Sequence, residues 1–204
     1  MRTATAITAT LAVVALVGCD PQTPAASTKS DIKEATSVPR SVKDIDGNLV
    51  ADVKPGSCRV IFFLTTDCPI ANRYAPEMRR IADDFADRPV QFLFVYPNED
   101  DTLEDIRKHR EEYSLGGTAV HDVDHTLVTI AGATVTPEAA VFNDTAVLQY
   151  CGRIDDWYVD FGKNRKEPTV HDLRDAIEAV LTNEPVPNLR VKAIGCYIPK
   201  KTGK

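Results

Sequence analysis

The sequence lacks the excess of basic residues that nucleic-acid-binding proteins use. Its 24 lysines and arginines are outnumbered by 30 aspartates and glutamates, which gives a net charge of −6 at pH 7. Because nucleic-acid phosphates require a basic face, we expect no nucleic-acid partner. The sequence also has no Gly-rich phosphate loop, no HExxH and no Gly-x-Ser-x-Gly motif, and nothing in it indicates a bound cofactor.

Long hydrophobic runs are scarce as well. The uncharged run from Ala4 to Gly18 is too short to span a bilayer comfortably, and it follows the positive charge of Arg2. It ends in LVGC at Cys19, which resembles a bacterial lipoprotein signal; an ordinary signal peptide with an incidental cysteine is the alternative. We therefore expect residues 1–18 to be removed and Cys19 to be lipidated, so that the protein is extracytoplasmic and anchored to a bacterial membrane.

Past the signal, composition divides the chain into three parts. Residues 19–40 are rich in Ser, Thr, Pro and Ala without apolar periodicity, which predicts a flexible tether. Residues 41–184 have the length of a usual domain, and residues 185–204 form a C-terminal tail. Outside the cytoplasm the remaining cysteines meet an oxidising compartment, where disulfides persist. They are Cys58, Cys68, Cys151 and Cys196.

Apolar patterns predict an α/β domain. Nearly continuous apolar runs indicate strands buried on both faces, and stripes at helical spacing indicate amphipathic helices. A β-α-β unit has a right-handed crossover, so its two strands lie side by side. The predicted order is a hairpin at Asp46-Gly47, strand 58–65, a helix from Ile70 to Phe85 containing Pro76, strand 90–96, helices 100–115 and 126–131, strands 139–142 and 146–150, and a last helix capped by Thr169.

Four motifs then resemble one family. The motif FFLTTDCP places Cys68 between a strand and a helix, Pro76 follows eight residues later, VTPE contains Pro137, and YCGRIDD and AIGCYI come late in the chain. Together they resemble the thioredoxin-like fold and, within it, the redoxin branch that includes AhpC/TSA proteins, over residues 41–198. The resemblance implies a central mixed sheet flanked by helices. It also implies that Pro137 is cis and faces the active cysteine, leaving Thr136 backbone groups free to bind an extended peptide substrate.

The candidate chemistry centres on Cys68. A helix N-terminus favours a thiolate, which is the reactive form of cysteine. Thr65 could donate a hydrogen bond to its sulfur, and Arg153 could stabilise the thiolate and polarise a peroxide, or else form a solvated ion pair. The second cysteine of dithiol reductases is missing, because Ala71 stands three residues after Cys68.

Geometry ranks the partners of Cys68. Cys58 begins the strand that Cys68 follows, so the two are on the order of 20 Å apart, beyond the roughly 7 Å limit between bridged Cα atoms. Cys151 lies two strands away, about 10 Å to the side. The tail is less restricted, so a Cys68–Cys196 disulfide ranks first. A Cys151–Cys196 bond is the runner-up and would leave Cys68 as a lone peroxidatic thiol.

The sequence therefore predicts a membrane-tethered, thiol-dependent oxidoreductase, possibly antioxidant in role through peroxide reduction. Its partners would be a peroxide or disulfide and an exported thiol reductant. The alternative is a non-catalytic module that binds a partner protein or delivers a metal such as copper. His121 and His125 invite that interpretation, although copper(I) prefers paired sulfurs. No resident metal is expected.

Overall fold

The structure is a computed structural model and describes residues 42–201. The expected signal peptide, the lipidation of Cys19 and the tether lie outside the described residues. The strands are β1 (Cys58–Phe63), β2 (Val90–Tyr96), β3 (Thr118–His121), β4 (Val135–Thr136), β5 (Glu138–Asn143), β6 (Leu148–Gly152), β7 (Tyr158–Asp160), β8 (Lys163–Asn164), β9 (Arg190–Val191) and β10 (Cys196–Tyr197). The helices are α1 (Pro69–Asp84), α2 (Leu103–Glu112), α3 (Thr126–Ala131) and α4 (Asp172–Leu181).

A mixed sheet with strand order β3-β2-β1-β5-β6-β9 forms the centre of the domain. Strand β1 pairs in parallel with β2 and antiparallel with β5, and all six of its residues are buried. Its side chains alternate between two apolar layers, because successive strand residues point to opposite faces. Val60 and Phe62 belong to the layer covered by α1 and α4, whereas Ile61 and Phe63 belong to the layer covered by α3. This arrangement is the mixed α/β architecture expected from the sequence.

Two short elements differ from expectation at the start of the domain. The hairpin around Gly47 contains one bridge pair, Lys43 with Leu49, because the Asp44 carboxylate closes the turn by accepting the Asp46 and Asn48 backbone N–H groups. Strand β3 was missed by the sequence interpretation. It has only four residues, and only its two middle residues are buried, so its apolar run is too short to register.

The entry to α4 is a correction. Thr169 does not cap this helix; His171 occupies the N-cap position without a side-chain cap bond. The Thr169 hydroxyl and backbone N–H instead donate to the Asp156 carboxylate at 2.7 Å and 2.6 Å. A nearby carboxylate therefore binds the hydroxyl that could otherwise have accepted from the first turn.

The C-terminal tail is a second correction, since it needs no disulfide to be held in place. Strand β9 pairs in parallel with the end of β6, and β10 pairs antiparallel with β4. No helix within residues 42–201 is both long and apolar enough to cross a membrane.

Candidate active site

Cys68 lies where β1 ends and α1 begins. It is the N-cap residue of α1, and the Ala71 N–H donates to its Sγ at 3.4 Å. The preceding loop is fixed by Thr66, whose hydroxyl donates to Asp101 at 2.5 Å, and by the Asn72 side chain, which donates to the Thr66 carbonyl. Cys68 is only 1% exposed. A helix N-terminus thus presents donors to a sulfur that solvent hardly reaches.

Cys196 meets Cys68 in this structure. Its Sγ lies 2.8 Å from Cys68 Sγ, whereas a disulfide bond is about 2.05 Å long, and neither cysteine is bonded. The second sulfur that is absent at position 71 therefore comes from β10, 128 residues further along the chain. Burial, the hydrogen bond with Cys68 and the negative charges of Cys68 and Asp67 raise the pKa of the Cys196 thiol to about 12.

Strand β4 supplies the third side of the site. Thr136 is fully buried, its carbonyl oxygen lies 3.0 Å from Cys68 Sγ, and the Thr136–Pro137 peptide bond is cis. The backbone of this segment is held by Glu138, whose carboxylate accepts from the Thr134 and Val135 N–H groups. Thr136 is not free for an external peptide here, because it is already paired with Cys196.

Thr65 and Arg153 differ from their expected positions. The Thr65 hydroxyl lies 3.4 Å from the Thr136 hydroxyl, so its side-chain partner is Thr136 and not the sulfur of Cys68. Arg153 forms an ion pair with Asp172 at 2.7 Å, which directs its charge to the start of α4. The solvated ion pair considered as the alternative for Arg153 describes its environment better than the thiolate contact does.

The remaining cysteines lie away from the two paired sulfurs. Cys58 is fully buried at the far end of β1, and burial raises the pKa of its thiol to about 12. Cys151 belongs to the apolar layer on the α3 side of the sheet, whereas Cys68 belongs to the opposite layer. Burial and the charge of Glu138 raise the pKa of the Cys151 thiol to about 12. The sheet therefore separates Cys151 from Cys68.

Two supporting features were missed by the sequence interpretation. Gly195 lies so close to the Thr136 carbonyl that an added Cβ would be 2.2 Å from its oxygen. The second feature is a chain of side chains linking α2 to α1, in which the Tyr96 hydroxyl lies 3.0 Å from His109 Nδ1 and His109 Nε2 lies 2.8 Å from Asn72 Oδ1. Only the glycine had a signal in the sequence, as the residue before a tail cysteine.

The histidines considered for a metal bind backbone carbonyl groups. His121 Nε2 lies 3.1 Å from the Asn98 carbonyl oxygen, and His125 Nε2 lies 2.9 Å from that of Pro97. Within residues 42–201 there is no group of three or more His, Cys, Asp or Glu side chains placed to hold a metal ion. The two histidines therefore fix the loop after β2.

Comparison with known proteins identifies the fold and the family. Residues 35–156, more than half of the chain, match the AhpC/TSA family. No curated protein matches the chain. An uncharacterized conserved protein from Geobacillus kaustophilus is 27% identical with a TM-score of 0.71, covering 84% of this chain and 93% of that one. A hypothetical protein from Sinorhizobium meliloti 1021 is 26% identical with a TM-score of 0.70, covering 84% and 98%.

A more distant structure shares the fold alone. A putative thioredoxin from Neisseria meningitidis is 23% identical with a TM-score of 0.54, covering 74% of this chain and 89% of that one. The expected thioredoxin-like architecture is thereby confirmed, with Cys68 at its strand–helix junction. Together with the match over residues 35–156, these findings show that the chain belongs to the AhpC/TSA family.

Proposed function

We propose that the protein is a thiol-dependent oxidoreductase in which Cys68 and Cys196 form the redox pair. The observation that carries this proposal is the 2.8 Å separation of the two sulfur atoms. The pairing of β10 with β4 maintains it, since Cys196 lies opposite Thr136 in the ladder. Membership of the AhpC/TSA family supports a redox role.

The proposed reaction proceeds by two exchanges. Cys68 thiolate attacks one sulfur of a substrate disulfide, forms a mixed disulfide and releases the other sulfur as a thiolate, which takes up a proton. Cys196 then loses its proton to solvent and attacks Cys68 Sγ. This step forms the Cys68–Cys196 disulfide and releases the second substrate thiol. Two electrons have passed from the cysteine pair to the substrate, and an exported thiol reductant returns them.

The site favours a disulfide over a peroxide as the substrate. The hydrogen-bond partners of Cys68 Sγ among the described residues are Ala71, Thr136 and Cys196. Arg153, the cation expected to polarise a peroxide, is paired with Asp172 instead. Without a cation beside the sulfur, the site resembles a thiol–disulfide exchange centre more closely than a peroxidatic one.

The proposed location is outside the cytoplasm, on a membrane. The sequence around Cys19 supports lipidation, and residues 19–40 would tether the domain. A thiol pair of this kind suits a compartment in which disulfides form and persist.

Turnover by cysteine variants tests the function. The protein is supplied with dithiothreitol and either a disulfide-bonded peptide or hydrogen peroxide, and thiol consumption is followed. We expect reduction of the peptide disulfide by the wild type and none by Cys68→Ser, because serine is hardly ionised at neutral pH. Cys196→Ser should stop after the first exchange, with the peptide attached to Cys68, and the matched control Cys151→Ser should keep turnover.

Three results would contradict the proposal. Retained turnover in Cys68→Ser would place the chemistry elsewhere. Consumption of hydrogen peroxide alone would reverse the proposed substrate class. A wild type that turns over neither substrate would favour the alternative, a module that binds a partner without catalysis.

A further inference from the structure

The segment that carries Cys196 also covers Cys68. The tail segment, defined here as residues 194–198, lies along β4 through the pairs Cys196–Thr136 and Tyr197–Val135. The Ile198 N–H extends this contact by donating to the Thr134 carbonyl at 3.0 Å. Under this cover Cys68 is 1% exposed. The nucleophile of the proposed reaction is therefore shielded from any substrate larger than solvent.

The covering segment occupies the backbone edge that an extended peptide would use. Peptides that add to a strand edge gain their affinity from main-chain pairing, and Thr136 is the β4 residue nearest Cys68 Sγ. In this structure that edge is paired with the chain's own Gly195-Cys196 sequence. The tail segment thus has the features of a bound cysteine peptide: extended backbone, antiparallel register and a sulfur beside Cys68.

Gly195 allows this close approach. An added Cβ would lie 2.2 Å from the Thr136 oxygen and 2.7 Å from the Thr136 carbonyl carbon, and real Cβ contacts are essentially never shorter than 3.0 Å. Both obstructing atoms belong to the backbone of a buried residue, so neither can move aside cheaply. Any other residue at position 195 must therefore lift the tail segment from β4.

The cover is held by few contacts. Strand β10 has two residues, and Tyr197 is 81% exposed. Beyond it, the ion pair of Lys201 with Asp124 is solvent-exposed, and exposed pairs stabilise little. Segments with so little buried area open at low free-energy cost compared with the core. Opening of the tail segment is consequently compatible with an intact sheet.

We propose that the tail segment is a tethered competitor for the peptide-binding edge of β4, and that Gly195 is the positioning residue that seats it. This inference rests on the proposed function. An external disulfide reaches Cys68 only after the tail segment leaves β4, and its return delivers Cys196 to the mixed disulfide. Because the tail segment is tethered, its effective concentration at the site exceeds that of a free peptide at low concentration.

The test measures how readily Cys68 reacts when Cys196 is absent. In a Cys196→Ser background the rate of Cys68 modification by dithiodipyridine is compared for Gly195→Val and Gly116→Ala. Gly116 is the matched control, because an added Cβ there meets nothing within 4 Å. We expect about a tenfold or greater increase for Gly195→Val and no change for Gly116→Ala, since a covered thiol reacts in proportion to the time it is open. A chain ending at Ala193 should react as fast as Gly195→Val.

The cover and the redox pair can fail separately. Equal Cys68 rates in all these variants, each with an unchanged circular dichroism spectrum, would overturn the cover while leaving the redox pair untouched. Fast Cys68 modification in the truncated chain alone would mean that Gly195 does not seat the segment, and would overturn its assigned role. Addition of a Gly-Cys peptide should slow re-formation of the Cys68–Cys196 disulfide in the wild type; no effect at any peptide concentration would contradict competition.

Discussion

At the residue scale, four cysteines of one domain have different environments. Cys68 receives an N–H from the first turn of α1 and lies 2.8 Å from Cys196. Cys58 and Cys151 lie in apolar layers with no other sulfur beside them. Burial favours the neutral thiol, and the thiolate is the nucleophile. Position in the fold, and not cysteine count, therefore decides which sulfur reacts.

Native-state alkylation tests this division. The pKa values of Cys58 and Cys151, raised to about 12, leave about one thiol in ten thousand ionised at pH 8. We expect iodoacetamide to leave both unmodified in the folded protein and to modify both after unfolding, as read by peptide mass spectrometry. Rapid native modification of either cysteine at pH 8 would show that its environment is more polar or more open than described.

At the element scale, one carboxylate organises the approach to α4. Asp156 is 3% exposed and accepts hydrogen bonds from Thr169 and from the Val170 N–H, and Arg165 lies 2.9 Å away. Burial alone would raise the pKa of Asp156, but these hydrogen bonds and the charge of Arg165 outweigh it and lower the pKa. Its ionised form therefore stabilises the folded state, and this contribution is lost as the pH falls below 3.8.

Replacing Asp156 should accordingly weaken the fold. We expect Asp156→Ala to lower the free energy of unfolding by about 2 to 4 kcal/mol, because several buried donors lose their acceptor. Thr169→Ala removes only one side-chain donor and should cost about 1 kcal/mol. Urea denaturation at neutral pH measures both. Equal effects of the two substitutions would contradict the central role of the carboxylate.

The chain of side chains between α2 and α1 predicts a pH effect. Burial lowers the pKa of His109 from its ordinary value of 6.5, opposed by the charge of Glu112. The unfolded state then binds a proton at a higher pH than the folded state does. His109 therefore contributes stability that is present above pH 6.5 and is lost as the pH falls toward its folded pKa.

Substitution of His109 isolates this contribution. The free energy of unfolding of the wild type should fall more steeply than that of His109→Gln as the pH decreases from about 8 to about 5. Glutamine keeps a hydrogen-bonding side chain toward Asn72 without a titratable ring. Parallel pH curves for the two proteins, measured by urea denaturation, would contradict the assignment.

Long elements were predictable from the sequence, and short pairings were not. Strand β2 matches its predicted bounds, and α1 begins one residue before its prediction, because sustained apolar periodicity determines such elements. Strands β9 and β10 have two residues each, too few for any periodicity. Cys196 could be ranked beside Cys68 by excluding the other cysteines. Its register opposite Thr136 depends on the missing Cβ of Gly195, which is a tertiary contact.

At the scale of the whole molecule, the proposed location rests on Cys19. If the LVGC sequence is a lipidation signal, Cys19→Ser should release the protein from membranes or block its processing. Membrane fractionation of cells that express the wild type and the variant measures this, and Cys58→Ser serves as a control at a buried cysteine. A Cys19→Ser protein that is processed normally and stays equally membrane-bound would contradict the proposal.

The redox pair is the central claim for the whole molecule, because it links the tail to the strand–helix junction. Peptide mapping without reduction, on the protein as isolated and after one equivalent of hydrogen peroxide or oxidised glutathione, tests it most directly. The account predicts a cross-linked peptide containing Cys68 and Cys196, with Cys58 and Cys151 free. A map with Cys196 free under all these conditions, or with any bond to Cys58 or Cys151, would contradict it.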